Sequence, residues 1–448
     1  MKSLSGPVLT AAEMRAAENT CGASLQTLMD RAGCALAEAV WRFSGGQRAL
    51  ILCGPGNNGG DGYVAARLLA AWGLDVTIAA SSEPKTALAI AAREAWDGPV
   101  GPLGSAYSAP VLVDALFGTG STRALAPEIA GPLRRLSKAA NIVIAVDVPS
   151  GLGTDDGADY GASSAHITIA FAAAKPVHLL QPGASFCGKV RIADIGIKCV
   201  SNASVLARPI LPRPGPADHK YTRGMVVVVG GAMHGAAALS ATAAARSGAG
   251  YVVGVGIEGN LPHAIVGRSH ADLVEVISDN RIGAVVIGPG LGHDRQAKTA
   301  LSLAILSPHP LVLDGDALSA DMPPRSAPTI MTPHAGEFAR MFGTGEGSKV
   351  DRTREAAHRS SATVIFKGAD TVIASPDGRV TLCPPASPWL STAGTGDVLA
   401  GVAGAMLARG LPTHEAACAA VWLHSEAARR AGPAMIADDL LLHLPACQ

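Results

Sequence analysis

Short apolar runs and segments of helical spacing alternate along residues 1–206. Ala49–Cys53, Leu74–Ala79, Val111–Leu116, Ile142–Val148 and Ile167–Phe171 are strand-length and rich in Val, Ile and Leu. Between them lie helical stretches. One opens at Thr10-Ala-Ala-Glu13, whose Thr and Glu are spaced as a capping box, and runs on to Trp41. Another covers Tyr63–Trp72. Strands alternating with helices predict a mostly parallel sheet covered on both faces.

Residues 218–448 repeat the style but not the sequence. Met225–Gly230, Tyr251–Gly256, Ala284–Ile287, Leu311–Asp314 and Thr363–Lys367 read as strands. Ala236–Ser247, Asp397–Arg409 and Glu415–Arg430 read as helices. Between the halves, Ala207–Ala217 carries four prolines within residues 209–216. Proline lacks an N–H and restricts its predecessor, so this stretch predicts a linker over 207–217. The expected organisation is α/β: two three-layer α/β/α domains, 1–206 and 218–448.

Composition narrows the function. Lys plus Arg and Asp plus Glu are both 36, a formal net charge of zero, which disfavours nucleic acid as a partner. Charged residues are only 16% and hydrophobic ones 48%, much of that alanine, which suits close helix packing and makes a homo-oligomer the expectation. No apolar run approaches the roughly 18 residues of a membrane span. The first ten residues have no secretory pattern, and the eight cysteines form no C-x-x-C pair. A cytoplasmic protein with free thiols is expected.

The loop Gly54-Pro-Gly-Asn-Asn-Gly-Gly-Asp-Gly62 joins a strand to a helix. It contains G-x-G-x-x-G, but the acidic residue that should end the next strand of a dinucleotide fold is misplaced. Asp75 stands at that strand's start, which argues against an ordinary dehydrogenase. The loop's oxygens are the stronger signal. Asn57, Asn58 and Asp61 stand at a helix N-terminus, where backbone N–H groups suit phosphate. Val113-Asp114-Ala-Leu-Phe-Gly118-Thr119-Gly120 and Val146-Asp147-Val-Pro-Ser150-Gly151 end two further strands with oxygen-bearing side chains. Strand carboxyl ends are where open α/β sheets bind ligands.

These three motifs, with Lys175-Pro176 and Val190–Gly196, resemble the NAD(P)H-hydrate epimerase domain over most of residues 8–200. The resemblance implies a Rossmann-like fold, a hydrated nicotinamide cofactor (NAD(P)HX) as substrate, and a bound potassium ion. It implies that Asn57, Asn58, Gly59, Gly60 and Asp61 cradle the substrate together with Gly118, Thr119, Gly120, Ser121, Thr122, Arg123 and Ala124. Asp147 would act on the damaged ring. Asn58, Asp114 and Ser150 would ligate potassium. After Gly120 the chain reads Ser-Thr-Arg-Ala, where the family usually has a Leu-x-Arg-Pro-like stretch.

In the second half, Gly394-Thr395-Gly396-Asp397 opens a helix. Its N–H groups can hold an anion, and Asp397 is placed either as a favourable helix-start acid or as a base beside a phosphoryl group. Lys367-Gly368-Ala369-Asp370-Thr371 forms a turn between strands. Thr332-Pro-His334-Ala-Gly-Glu337 starts a helix, Ile287-Gly-Pro-Gly290-Leu-Gly292 is a glycine loop, and Asp314 and Asp316 end a strand, as magnesium ligands or as caps.

This half resembles the nucleotide-dependent NAD(P)H-hydrate dehydratase, a ribokinase-like family, from about His219 onward. The resemblance implies that Ala236, Gly290, Gly292, His334 and Asp397 face the hydrate. Lys367–Thr371, Gly394, Thr395 and Gly396 would face ADP with Mg2+, and Asp397 would be catalytic. The whole chain then implies repair: epimerisation of R- and S-NAD(P)HX, then dehydration of the S form to NAD(P)H, giving AMP and phosphate. The rival is a ribokinase-like kinase of a small alcohol with a non-catalytic N-terminal binding module.

Overall fold

The computed structural model describes residues 1–319 and 323–448, which divide into two compact units, Met1–Val205 and Leu206–Gln448. In the first, the strands are β1 (Lys2–Ser3), β2 (Ala49–Cys53), β3 (Val76–Ala80), β4 (Val100–Pro102), β5 (Val111–Ala115), β6 (Ile142–Val146), β7 (Ile167–Phe171) and β8 (Lys189–Ala193). Short β9 (Ala203–Val205) bridges back to Pro7. The sheet order is β1-β8-β7-β6-β5-β2-β3-β4, parallel from β8 to β4, with β1 antiparallel at the edge.

Near-continuous burial of the central strands reflects cover on both faces. Ile51, Val113, Ile144 and Ile169 pack with α2 (Leu25–Ser44) and α3 (Asn57–Ala71). Their neighbours Leu50, Leu52, Leu112 and Val143 pack on the other side with the helix Pro127–Ala139. Gly33 lets α2 close on α3, since a Cβ there would stand 2.4 Å from Val64 Cγ1. The helix Ala11–Thr20 is capped as its sequence predicts: Glu13 Oε2 accepts from the Thr10 amide at 2.7 Å, and Thr10 Oγ1 accepts from the Glu13 amide.

In the second unit the strands run β10 (Met225–Val229), β11 (Tyr251–Val255), β12 (Ile265–Arg268), β13 (Ile282–Ile287), β14 (Leu311–Leu313), β15 (Thr329–Met331), β16 (Thr363–Phe366), β17 (Val372–Ala374) and β18 (Val380–Leu382). The order β12-β11-β10-β13-β14-β15-β16 is parallel, and β17 and β18 add antiparallel strands. Val226, Val228, Ala284 and Val286 pack against the helices His234–Arg246, Thr395–Ala408 and Thr413–Ala431. Val227, Val229, Val285 and Ile287 are equally buried on the opposite face, where the helix Arg295–Leu306 lies against β13. The residues 207–217 contain no helix or strand.

Both sheets reverse direction at their middle. The chain leaves β2 for β3 and β4 on one side, then returns to β5 on the other; β10 and β13 do the same. The strands on either side of such a switch send their loops apart and open a crevice at their carboxyl ends.

Candidate functional site

In the first unit that crevice is a cleft of about 670 Å³. Asn57, Asn58, Asp61, Gly118–Ala124 and Asp147 line it, so the sequence motifs from β2, β5 and β6 meet in one place. Close backbone approach makes this possible. A Cβ on Gly54 would lie 1.7 Å from the Leu116 carbonyl oxygen, and one on Gly59 would lie 2.0 Å from that of Gly54. Gly59 and Gly60 therefore face inward, Gly60 against Met29, and do not line the cleft.

Asp147 has φ +62°, which turns the chain sharply after β6. Its Oδ1 accepts from Lys175 Nζ and from the Phe171 amide at 3.0 Å. Lys175 is fully buried and also donates to the Phe171 carbonyl at 2.9 Å. His178 Nδ1 accepts from the Lys175 amide, which leaves Nε2 to donate to the Asp147 carbonyl at 2.9 Å. Burial, and then the Lys175 charge, push His178 down to about 4, so the ring is neutral and rigidly placed. Asp147 Oδ2 has no hydrogen bond among the described residues and belongs to the cleft wall. Asp61 and Glu18 share that wall, and burial followed by the charge of Asp147 raises both carboxyls.

Asp114 and Ser150 lie behind the wall. Ser150 donates to Asp114 Oδ1 at 2.6 Å, its amide reaches Asp114 Oδ2 at 2.9 Å, and its Oγ accepts from the Phe117 amide at 2.9 Å. Asp114 has no basic partner among the described residues, and burial raises its carboxyl. Asn58 packs against Gly118, and its Nδ2 is buried without a partner.

In the second unit the strand ends carry Gly230, Gly288, Asp314, Thr332 and Lys367 in spatial order. Lys367 Nζ and Thr332 Oγ1 both donate to Asp314 Oδ1, at 2.7 and 2.5 Å. Asp314 Oδ2 takes no hydrogen bond among the described residues. Gly396 sits over this pair: a Cβ there would stand 3.3 Å from Lys367 Nζ and 3.8 Å from Asp314 Oδ2. The helix Thr395–Ala408 has no side-chain cap, so the N–H groups of Thr395, Gly396 and Asp397 are left for a ligand. Asp397 is pushed up to about 6, first by burial and then by the Asp314 charge.

The glycine loop after β13 packs into the same region. Gly290 (φ +61°) lies against Met233 and Ala236, and the Gly292 amide donates to Asp316 Oδ2 at 2.9 Å. Asp316 thus fixes a loop. His334 caps its own helix: Nδ1 accepts from the Gly336 and Glu337 amides at 3.0 and 3.3 Å. Asp370 pairs with Lys349 at 2.6 Å beside Gly368, while Thr371 Oγ1 closes the turn onto the Gly368 carbonyl.

Comparison with known proteins matches both halves. A family model for the YjeF-related protein N-terminus covers residues 25–177, and one for NAD(P)H-hydrate dehydratase covers residues 226–444. The bifunctional NAD(P)H-hydrate repair enzyme Nnr of Moorella thermoacetica is 34% identical, over 98% of this chain and 96% of that protein. The Mycobacterium tuberculosis enzyme of the same name is 37% identical over 90% of this chain and 89% of its own. The chain belongs to the bifunctional NAD(P)H-hydrate repair enzymes. Among solved structures, an ADP/ATP-dependent NAD(P)H-hydrate dehydratase from Bacillus subtilis, crystallised with ATP and Mg2+, is 30% identical. It matches 53% of this chain and 93% of its own with a TM-score of 0.49.

For a repair enzyme of this family, the donor sets fit the implied ions. Asp114, Ser150 and Asn58 form an oxygen-rich set with one uncompensated buried carboxylate, suited to a monovalent hard cation. Asp314 Oδ2 offers a single carboxylate oxygen, which suits Mg2+ carried largely by nucleotide phosphates. Sequence reasoning gave no role to Lys175, His178, Glu18, Lys349 or His424. His424, also held neutral at about 4 by burial, donates through Nε2 to the Thr395 carbonyl at 2.9 Å and braces the turn before Asp397. Lys175-Pro176 was the one visible signal among them. No helix among the described residues is long and apolar enough to cross a membrane.

Proposed function

We propose that the first unit interconverts R- and S-NAD(P)HX, and that the second dehydrates the S epimer to NAD(P)H with ADP as phosphoryl donor. The observation that carries this reading is the placement of Asp397. A carboxylate raised to about 6 stands at an uncapped helix N-terminus, next to the Asp314–Lys367 pair. Such a group takes a proton from a hydroxyl while the N–H groups hold the phosphoryl that the hydroxyl attacks.

In the dehydratase, Asp397 accepts the proton of the hydrate hydroxyl as its oxygen attacks the β-phosphorus of ADP. AMP leaves. The C–O bond of the phosphate ester then breaks, driven by the ring-nitrogen lone pair, inorganic phosphate leaves, and the adjacent carbon gives its proton to that phosphate to restore the dihydropyridine. Lys367 and the Gly394–Gly396 turn hold the phosphates, and Lys349–Asp370 keeps the Lys367–Thr371 turn in shape. Asp314 and the nucleotide phosphates would hold Mg2+, which would supply charge neutralisation.

In the epimerase, the ring nitrogen expels the hydroxyl as it gains a proton, and water returns to either face of the planar cation. Asp147, ion-paired with Lys175, stabilises that cation through its open oxygen and handles the proton. Asn58, Asp114 and Ser150 would hold potassium, which would supply positive charge behind the cleft wall.

The test uses purified protein, mixed R- and S-NADHX, potassium, magnesium, and either ADP or ATP, with recovery of reduced-nicotinamide absorbance as readout. Full recovery dependent on one nucleotide supports both activities and names the donor. A halt near the S fraction would leave the first unit without its proposed role. No recovery with either nucleotide overturns the reading.

A further inference from the structure

The second unit has another concavity, far from Asp397, of about 830 Å³. It lies under the proline-rich strap 208–214 and is lined by Arg208, Arg213, Arg223 and Arg409. One carboxylate side chain, Asp218, faces these four guanidinium groups; it makes no direct ion pair with them among the described residues, although the Arg223 charge, after the Gly215 amide and the Thr222 hydroxyl, helps to hold its carboxyl below the usual range. Asp218 is instead engaged by the Gly215 amide at 2.7 Å and the Thr222 hydroxyl at 2.9 Å.

Three of the four cations are tethered, Arg223 by its Nη2 donating to the Gly248 carbonyl at 3.4 Å. Arg409 is clamped by neutral oxygens only: Ser247 O at 3.0 Å, Pro212 O at 2.7 Å and Gln448 Oε1 at 2.7 Å. Burial and the nearby Arg223 lower its affinity for its own proton, the mark of a cation without a counter-charge. Arg208 lies over the Trp422 ring at 5.5 Å. Pro209, Pro212 and Pro214 stiffen the strap that carries Arg208 and Arg213, which lowers the backbone ordering cost of binding a ligand.

We propose that this groove binds the phosphate chain of a polyphosphorylated small molecule. Planar guanidinium groups match phosphate oxygens in pairs, and four of them facing a single carboxylate side chain in one concavity suit a multiply charged chain. The site also has a route to the chemistry. Arg409 is the C-cap of the helix that begins at Gly394, and Ser247 is the C-cap of the helix that carries Ala236. The two helices are in backbone contact, since a Cβ on Gly401 would stand 2.0 Å from the Ser240 carbonyl oxygen. The groove and Asp397 are therefore opposite ends of one helix, roughly 20 Å apart.

Hydrogen–deuterium exchange on the full chain tests this, with inorganic tripolyphosphate and, separately, ADP as probes. Protection of the amides of Ile210, Leu211, Arg213 and Gly248 is expected with both. In R213Q/R223Q the protection should require about tenfold more tripolyphosphate or be lost, while R213K/R223K, which keeps the charge but not the paired donors, should fall between that variant and the parent. Dehydratase turnover without added tripolyphosphate should be unchanged in both variants. The assignment is overturned by absence of protection at millimolar tripolyphosphate or by equal protection from sodium chloride at matched ionic strength. Protection by ADP alone, or protection that persists in R213Q/R223Q, overturns it as well.

Discussion

Lys175 is sealed from solvent, and its ammonium group ends on Asp147, which faces the cleft. The two residues come from different strand ends. Lys175 spends its other hydrogen bond on the Phe171 carbonyl, and Phe171 returns its amide to the same Asp147 oxygen. One carboxylate oxygen is thus fixed by a cation and an amide, and the second takes no hydrogen bond among the described residues. Asp147 needs a sharp backbone turn to reach this position, and the neutral His178 holds that turn by its carbonyl.

Replacing Lys175 with Met should remove both the charge and the fixed orientation. Epimerisation of R-NADHX is expected to fall by about 10²-fold or more, the scale of a misplaced acid–base group. Leaving a mostly buried carboxylate without its partner should also cost about 3–5 kcal/mol in the stability of the first unit. Dehydration of purified S-NADHX should stay within a factor of two of the parent, within the ordinary tolerance for a site in another unit. Comparing the rates on the separate epimers checks the split.

Asp397 makes a pH prediction whose direction follows from its neighbours. A general base works deprotonated, so kcat/KM of the dehydratase should rise through a pKa near 6 and then level off. Asp314 raises this group and Lys367 lowers it. Asp314→Asn should therefore shift the acid limb to lower pH, and Lys367→Met should shift it to higher pH. A limb that moves the same way in both variants would remove Asp397 as the titrating base.

The sheet strands and glycine loops of both units were legible because their signals are local. A buried parallel strand is a continuous apolar run, and a loop such as Gly54–Gly62 is dense in residues that need close approach. The short strands Val100–Pro102, Ile265–Arg268, Thr329–Met331, Val372–Ala374 and Val380–Leu382 gave no such pattern, since three or four residues show no period, and in Lys189–Ala193 the charged Lys189 and Arg191 interrupt the apolar run. Site residues divide in the same way. Asp147 and Asp397 stand inside motifs. Lys175, Lys349 and His424 are single residues whose partners lie far along the chain, and only the folded sheet brings them together. His334 shows the opposite case, a motif histidine whose Nδ1 is taken up by its helix cap.

The two glycines that begin the first loop should differ sharply. A Cβ on Gly54 would overlap the Leu116 carbonyl at 1.7 Å, whereas one on Gly56 meets nothing within 4 Å. Gly54→Ala must push apart the ends of β2 and β5, with loss of epimerase activity and a lowered melting temperature for the first unit. Gly56→Ala should melt with the parent protein, within about 0.5 kcal/mol. Thermal unfolding of the pair decides whether the loop's glycines are there for substrate or for the sheet.

His424 offers a test of the anion-binding turn that leaves every proposed ligand contact in place. Its Nε2 proton goes to the Thr395 carbonyl, and because burial holds the ring neutral down to about 4, that bond persists across the working pH range. His424→Phe keeps the volume but removes the second donor to a carbonyl that then keeps only its intrahelical partner, at a cost of about 0.5–1.5 kcal/mol. The N–H groups of Thr395 and Gly396 then lose their fixed aim, so KM for the nucleotide should rise about tenfold, with a smaller fall in kcat. His424→Gln can restore a donor to the same carbonyl and should recover most of the nucleotide affinity. If Phe and Gln variants bind nucleotide equally well, the Thr395 hydroxyl bonds to Leu390 and Thr392 suffice to hold the turn, and His424 is only a core residue.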